Sequence, residues 1–326
     1  MNQWGGLSGY REILKVAIPV SLESVFQASF NFIDQIIVGM LGASAVAAVG
    51  LANSVSFIVA LLYSAIGTGC GVLVARAAGR QDMKEVSKIA ALGQILAGVF
   101  GGCTALPLIL FPTFILRVVG AQEDLVGAAS GYFQLFAAAM PMTVISAVTT
   151  ATFRSLSDSR TPMVMTMAAV ILNTLLALLL VLGLGPFPKL GVIGAGLATL
   201  VSQTARCLAL LVVLYWRKQG MRWCWPGMDP ETQGIARPLF EITYPIALSE
   251  MLWGTSTFIY TIVFARLGTA ALASSQIVMT IENFFIVAAA GLPPAAVASI
   301  GQAIGGGSLR HAKKQAGLVL RRVAAP

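Results

Sequence analysis

The chain has 326 residues, of which 57% are hydrophobic and only 10% charged, and its mean hydropathy is +0.84. A soluble domain carries about 25% charged residues, so a chain this apolar is not an aqueous globule and the bilayer is its expected solvent. The formal net charge of +8 would suit a nucleic-acid partner, but the basic residues follow a membrane-topology pattern instead, and no nucleic acid is expected.

In chain order, the opening Met1 to Tyr10 holds Gly, Asn, Gln and Trp, and the apolar run after it is too long for the core of a cleavable signal. Apolar runs long enough to span a bilayer as helices are predicted at 14–41, 48–75, 89–116, 125–151, 162–184, 191–216, 239–267 and 272–300. A ninth begins near Ala312 and reaches the end of the sequence at Pro326.

The loops between these runs alternate from basic to charge-poor. Arg11 and Lys15 lead the first run, and GASAVAAV follows it without a charge. Arg76, Arg80, Lys84 and Lys88 come next, then a loop in which Glu123 and Asp124 oppose Arg117. Arg154 and Arg160 mark the next basic loop, then Lys189 stands alone. Arg217, Lys218, Arg222 and Arg237 are followed by Arg266 alone, then by Arg310, Lys313 and Lys314. The positive-inside rule places every second loop and the N-terminus in the cytoplasm, and the whole chain in the inner (plasma) membrane as a multi-pass protein.

The four cysteines, Cys70, Cys103, Cys207 and Cys224, form no CxxC pair, and His311 is the single histidine. No disulfide framework, His-based metal site or cofactor is implied. No Walker A sequence and no Ser-His-Asp or Cys-His set is present, so an enzyme or a direct ATP-driven pump is not expected.

The chain also repeats itself. Displaced by 226 residues without a gap, Arg11 meets Arg237, Pro19 meets Pro245, Leu41-Gly42 meets Leu267-Gly268, Gly79 meets Gly305 and Lys88 meets Lys314. Composition alone would align Ala and Leu, not these Pro, Gly and Arg landmarks. The unit is six spans, an even number, so both copies enter from the same side, as in a transporter with a parallel repeat. The expected architecture is all-α and polytopic. It has a six-helix N-lobe at 1–216, a cytoplasmic linker at 217–238 and an incomplete C-lobe at 239–326 with two spans and the start of a third.

Five segments carry a family resemblance. IPVSLESVFQASFNFIDQIIVGMLGASAVAAVGL at 18–51 resembles the opening segment of the multidrug and toxic compound extrusion (MATE) family, with its Asp before VG-x-LG. FRSLSDSRTPM at 153–163 is similar to that family's RGxGDxRTPM loop, with Ser155 and Ser157 in place of both glycines. GVIGAGLATLVSQ at 191–203, PIALSEMLW at 245–253 and QIVMTIENFF at 276–285 resemble its sixth helix and the first two helices of its second lobe. The resemblance implies twelve helices in two six-helix lobes and exchange of Na+ or H+ for organic, often cationic, compounds. This chain is about a quarter shorter than that pattern, so it reads as C-terminally truncated. Many relatives also carry an Asp four residues after the Asn of helix five, where Ala177 follows Asn173 here.

The polar residues inside the spans are the candidate site. Asp34 lies seven residues before Leu41, roughly 10 Å inside the span, where a carboxylate costs about 2.5–3.5 kcal/mol by insertion scales. Glu23, Gln27, Asn31 and Asp34 share one helical face, which must meet a cavity or polar partners because lipid offers none. Asp34 is expected to take up the coupling cation or proton. Asn173, near mid-span, is expected to coordinate Na+ or to bond to Asp34, with Na+ held between them as the one possible metal. In the second lobe Glu250 and Glu282 are expected to join in coupling, with Trp253, Tyr260 and Asn283 beside them in the substrate cavity. Each of these residues also has a plain structural reading as a hydrogen-bonded packing group. Pro19, Pro141, Pro245 and the Pro293-Pro294 pair read as bending points.

The functional expectation is a Na+- or H+-coupled antiporter that exports organic compounds by alternating access, monomeric unless a partner supplies the missing helices. One alternative is a lipid-linked oligosaccharide flippase, which cavity-facing basic residues would favour. The charges expected to face the cavity are acidic, and Arg206 is the only basic residue deep in a span. The other alternative is an inactive truncated product or an interaction subunit.

Overall fold

The structure is a computed structural model that describes residues 4–118, 123–184, 187–217, 221, 223, 230–267, 274, 278–279, 281–282, 285–287 and 289–323. Ten α-helices have both ends among them and are connected by short turns or by segments outside the described set. They are α1 Trp4–Gly39, α2 Ala43–Gly79, α3 Met83–Leu110, α4 Pro112–Val118, α5 Glu123–Ser155, α6 Arg160–Leu182, α7 Val192–Val212, α8 Pro230–Leu267, α9 Leu292–Gly305 and α10 Leu309–Val323. A π-helical turn, Val213–Arg217, continues α7. Seven helical segments among the described residues are long and apolar enough to cross a membrane: Ile13–Gly39, Val59–Gly79, Met83–Leu110, Ala129–Ser155, Arg160–Leu182, Val192–Trp216 and Phe285–Gly305. Helices satisfy every backbone donor and acceptor within themselves, which is what lipid demands.

The first six of these segments pack together as one bundle. Its centre is α5, which packs on α2, α3 and α7, while α1 lies against α6. The helices approach through small residues and turn large ones outward. On α3, Gly93, Ala97, Gly101 and Ala105 are buried, whereas Leu96, Val99, Leu106 and Leu110 are exposed. In lipid no hydrophobic force draws Leu inward, so close backbone packing at small residues holds the bundle. Gly101 is the clearest case, because a Cβ there would lie 2.7 Å from Cα of Pro141 on α5.

Two boundaries depart from the predicted runs for a visible reason. The third run, read as 89–116, ends as α3 at Leu110, and Pro112 opens the separate short helix α4. Proline has no N–H to continue a helix but suits its first position. The eighth run, read as 272–300, turns at Ala290 and Gly291, and α9 then starts with Pro293 and Pro294 in its first turn. That proline pair therefore begins a helix and does not kink one. Pro19, Pro141 and Pro245 do lie inside α1, α5 and α8. The segment expected as a linker, 217–238, includes the start of α8 at Pro230.

The 226-residue repeat is written in the helix boundaries. That displacement carries the start of α1 at Trp4 onto the start of α8 at Pro230. It carries the end of α2 at Gly79 onto the end of α9 at Gly305, and the start of α3 at Met83 onto the start of α10 at Leu309. The two copies meet where α2 crosses α9. A Cβ on Gly79 would strike the carbonyl of Gln302, and a Cβ on Gly305 would strike the carbonyl of Arg76. Gln302 is the repeat partner of Arg76, so the contact is reciprocal about a pseudo-two-fold axis. Beside the crossing, Gln302 Nε2 donates to the Ser155 carbonyl at 2.7 Å and to Ser157 Oγ at 3.1 Å. Of the two serines that stand where the resembled family has glycines, Ser157 thus bonds to the second lobe through its side chain, while Ser155 does so through its backbone carbonyl and turns its hydroxyl to the Gly71 carbonyl.

Candidate functional site

The polar face of α1 is the starting point. Its residues cannot face lipid without cost, and they turn inward toward α6, α7 and a chain of cavities. A cavity of about 600 Å³ is walled by α1, α2, α5 and α7 on the first-lobe side and by Ala290, Pro293, Pro294 and Val297 on the other. A second cavity, of about 280 Å³, and a third, of about 150 Å³, both border Asn31, Asp34, Asn173 and Thr199. The third cavity also shares Gln27, Gln203 and Arg206 with the first. A continuous polar wall therefore links Asp34 to Glu23.

Asp34 is half-buried, and Thr174 Oγ1 donates to its Oδ1 at 3.2 Å. Its other oxygen faces the Asn173 carboxamide. That amide is assigned the orientation in which Nδ2 donates to Asp34 Oδ2 at 2.9 Å while the amide oxygen accepts from Thr199 N at 3.1 Å and Ser202 Oγ at 3.2 Å. In that orientation Asn173 bonds to Asp34 through its nitrogen, not its oxygen. Both carboxylate oxygens are supplied with neutral donors, an arrangement that holds a negative charge in a poorly solvated place. Ala177 is buried and lines the 280 Å³ cavity one turn beyond Asn173, where it supplies a methyl group and no ligand.

Glu23 is 3% exposed. Its Oε2 accepts from Arg154 Nη2 at 2.9 Å and its Oε1 from Thr166 Oγ1 at 2.6 Å. Gln27 is half-buried, Asn31 is exposed, and both line the cavities. The second-lobe residues are placed differently. Glu250 is half-buried on α8, Trp253 and Tyr260 are exposed on the same helix, and Glu282 is exposed. None of these four lines the cavities just described. The Trp253 ring lies 6.4 Å from that of Phe57, and the Tyr260 ring 4.4 Å from that of Phe264. Asn283 lies outside the described residues.

One expectation about charge is corrected. The cavity-facing charges were expected to be acidic, yet the cavity of about 600 Å³ presents Arg154 and Arg206 against the single carboxylate of Glu23. Arg154 closes α5 at the edge of the membrane span and reads in the sequence as a topology signal. A guanidinium reaches far enough from its backbone to enter the cavity from there. Thr166, Thr174, Thr199 and Ser202, which hold the acids and the amide, gave no signal in the sequence. A hydroxyl in an apolar helix is common because it bonds its own preceding turn, as Thr199 does to the Ala195 carbonyl.

Among the described residues, no group of three or more His, Cys, Asp or Glu side chains is arranged to hold a metal. A monovalent cation at Asp34 would draw on the two carboxylate oxygens and Thr174 Oγ1, and on the Asn173 oxygen once the amide turns over.

Comparison with known proteins places this geometry. A family model described as MatE matches residues 19–179 and 245–322. The probable multidrug resistance protein NorM of Thermotoga maritima is 26% identical over 303 residues, covering 92% of this chain and 64% of that protein. The probable multidrug resistance protein YoeA of Bacillus subtilis is 25% identical over 313 residues, covering 94% and 67%. The chain thus spans about two thirds of the length of the curated relatives it matches. Among solved structures, the Vibrio cholerae MATE transporter VcmN in the bent form has a TM-score of 0.89 at 20% identity, over 98% of this chain and 72% of that one. A MOP superfamily transporter from Pyrococcus furiosus, described as having a binding pocket of reverse polarity, has a TM-score of 0.86 at 23% identity, over 97% and 69%. These structures share the fold. With the family model matching most of its length, this multi-pass membrane protein belongs to the MatE family of multidrug and toxic compound extrusion transporters.

Proposed function

We propose that the protein is a cation-coupled antiporter of the inner membrane, with its N-terminus in the cytoplasm, that exports organic compounds by alternating access. Its coupling site is Asp34 with Asn173. The observation that carries this reading is the position of the Asp34 carboxylate between two cavities, bonded to Thr174 and Asn173 and, among the described residues, to no basic side chain. An acid paired with arginine would hold its charge permanently. An acid held by neutral donors can lose its charge to a proton or share it with Na+.

The Asn173 amide suits either form. With its nitrogen toward Asp34 it stabilises the carboxylate, and turned over it offers an oxygen to a protonated carboxyl or to Na+. The two forms present different hydrogen bonds to α6, which gives the bound cation differential contact with the helix. A cation shifts a conformational equilibrium only through such a difference. The lobes 1–216 and 239–326 are the bodies proposed to move. Glu250 and Glu282 of the second lobe are proposed to share in the coupling. The family resemblance implies organic, often cationic, substrates, but the proposal is kept to organic compounds without regard to charge, because the cavity of about 600 Å³ presents two arginines.

The test is reconstitution of the purified protein in liposomes with Na+ and pH gradients imposed separately, reading uptake of a panel of organic dyes. Uptake against a concentration gradient under one of the two is expected. No uptake under either would overturn the proposal.

A further inference from the structure

We infer that the cavity of about 600 Å³ is an oxyanion site: it takes an amphiphile whose head is a phosphate or carboxylate, seated on Arg206 and the free edge of Arg154. The inference deepens the transporter reading, since such a molecule would be its substrate, but the binding itself does not depend on that reading.

Charge comes first. The ionisable walls of the cavity are Glu23, Arg154, Arg206 and the phenol of Tyr63. Glu23 spends both oxygens on Arg154 and Thr166, so that pair is neutral as a unit. Arg206 is left with its charge, and no ion pair to it occurs among the described residues. The neighbourhood therefore carries a net positive charge in a wall that is mostly out of water. Arg206 is half-buried with its Nε out of water, and a guanidinium so placed without a carboxylate partner is costly unless an anion meets it.

Hydrogen bonding points the same way. Four of the buried side-chain polar atoms that have no hydrogen-bond partner lie on this one wall: Nε of Arg154, Nε of Arg206, Oγ1 of Thr150 and Oε1 of Gln203. Three of the four can donate, and two are guanidinium edges. Arginine presents donors in a planar fork that matches phosphate and carboxylate oxygens. A quaternary ammonium would meet no acid here that is not already occupied.

The opposite wall supplies the apolar half. Pro293, Pro294 and Val297 at the start of α9 face the cavity and carry no side-chain polar atom. A site of this volume with one apolar side and a few convergent donors accommodates a drug-sized molecule. Because Pro293 and Pro294 belong to the second lobe, the ligand would touch both lobes at once.

The test is calorimetric titration of the whole purified chain in neutral detergent with octyl phosphate, octanoate and octyltrimethylammonium, and with inorganic phosphate as the head alone. Wild-type protein is expected to bind octyl phosphate at least tenfold more tightly than octyltrimethylammonium, and inorganic phosphate weakly. Arg206→Gln is expected to lose tenfold or more in octyl phosphate affinity, and Arg206→Lys to retain most of it. Repeating the titration in nanodiscs separates the two sources of such a head. Loss of octyl phosphate binding in phosphatidylglycerol but not in phosphatidylcholine assigns the site to a lipid headgroup, and equal binding in both assigns it to a soluble amphiphile. Equal affinity of wild type and Arg206→Gln, or a wild-type preference for the ammonium, would overturn the inference. The wild-type comparison stands even if the Gln variant fails to fold. Transport does not enter any readout, so a failure here leaves the Asp34 proposal intact, and a failure of coupling leaves this one intact.

Discussion

Ala75 on α2 and Gly301 on α9 touch, and they are the same position of the 226-residue repeat: a Cβ on Gly301 would lie 2.6 Å from that of Ala75. A contact between a residue and its own repeat partner lies on the pseudo-two-fold axis. Gly79 with Gln302, and Arg76 with Gly305, flank it symmetrically. If the lobes part at this end during transport, a bond across the axis must stop them. Cβ atoms of a disulfide stand about 3.5–4.5 Å apart, so α2 and α9 must give by about 1 Å to accept one. With that shift the double variant Ala75→Cys with Gly301→Cys is expected to cross-link under mild oxidation and to lose dye export at least tenfold, with recovery on reduction. Gel mobility and proteoliposome uptake measured on the same samples check this, and a cross-linked protein that still transports would refute it.

Overpacking should be felt where α3 meets α5. Gly101 has Cα of Pro141 directly over it, with no flexible side chain to yield. Gly101→Val is expected to destabilise the bundle by about 1–3 kcal/mol. Gly102 provides the control, because nothing lies within 4 Å of the place a Cβ would take there. Gly102→Ala should leave the melting temperature in detergent nearly unchanged.

The buried pair of Glu23 and Arg154 makes a third prediction. Removing one partner leaves the other without its counter-charge, and such single removals cost about 3–5 kcal/mol in fully buried sites. The Arg154 side chain is 22% exposed and that of Glu23 is 4% exposed, so the lower end applies. Glu23→Gln is expected to lower thermal stability clearly, and Glu23→Gln with Arg154→Gln to recover most of the loss. Melting curves of the single and double variants beside the wild type read the coupling as a double-mutant cycle.

What could be read in advance follows from how local each signal is. The spans and the repeat were legible because apolar length, Pro19 with Pro245 and Gly79 with Gly305 are properties of the sequence alone. Asp34 was legible for the same reason, since a carboxylate inside a span is costly wherever it points. That same rule singled out Glu250 and Glu282 equally, and it could not say that they would stand away from the cavities that Asp34 borders. Depth fixes the cost of a charge, whereas the direction of its side chain depends on the neighbouring helices. Arg154 failed in the opposite sense. It sits at the end of a span, where a basic residue is ordinarily a topology signal, and only the packing of α1 against α6 brings Glu23 and Thr166 into its reach.

The hydroxyl that steadies Asp34 offers a milder perturbation than the acid itself. Thr174→Val removes the donor at 3.2 Å while keeping the shape of the side chain. Losing one hydrogen bond to a charged group costs about 1.5–3 kcal/mol. The variant is expected to keep transport but to need a steeper ion gradient, read as a shifted dependence of uptake on external pH or Na+.

The most direct measurement is ion-driven uptake by Asp34→Asn in liposomes, set beside gradient-free exchange of the same substrate across the same membranes. If Asp34 carries the coupling ion, uphill uptake falls at least tenfold while exchange persists, because the asparagine keeps the shape of the site and loses the charge. Uphill uptake at the wild-type rate would contradict the account.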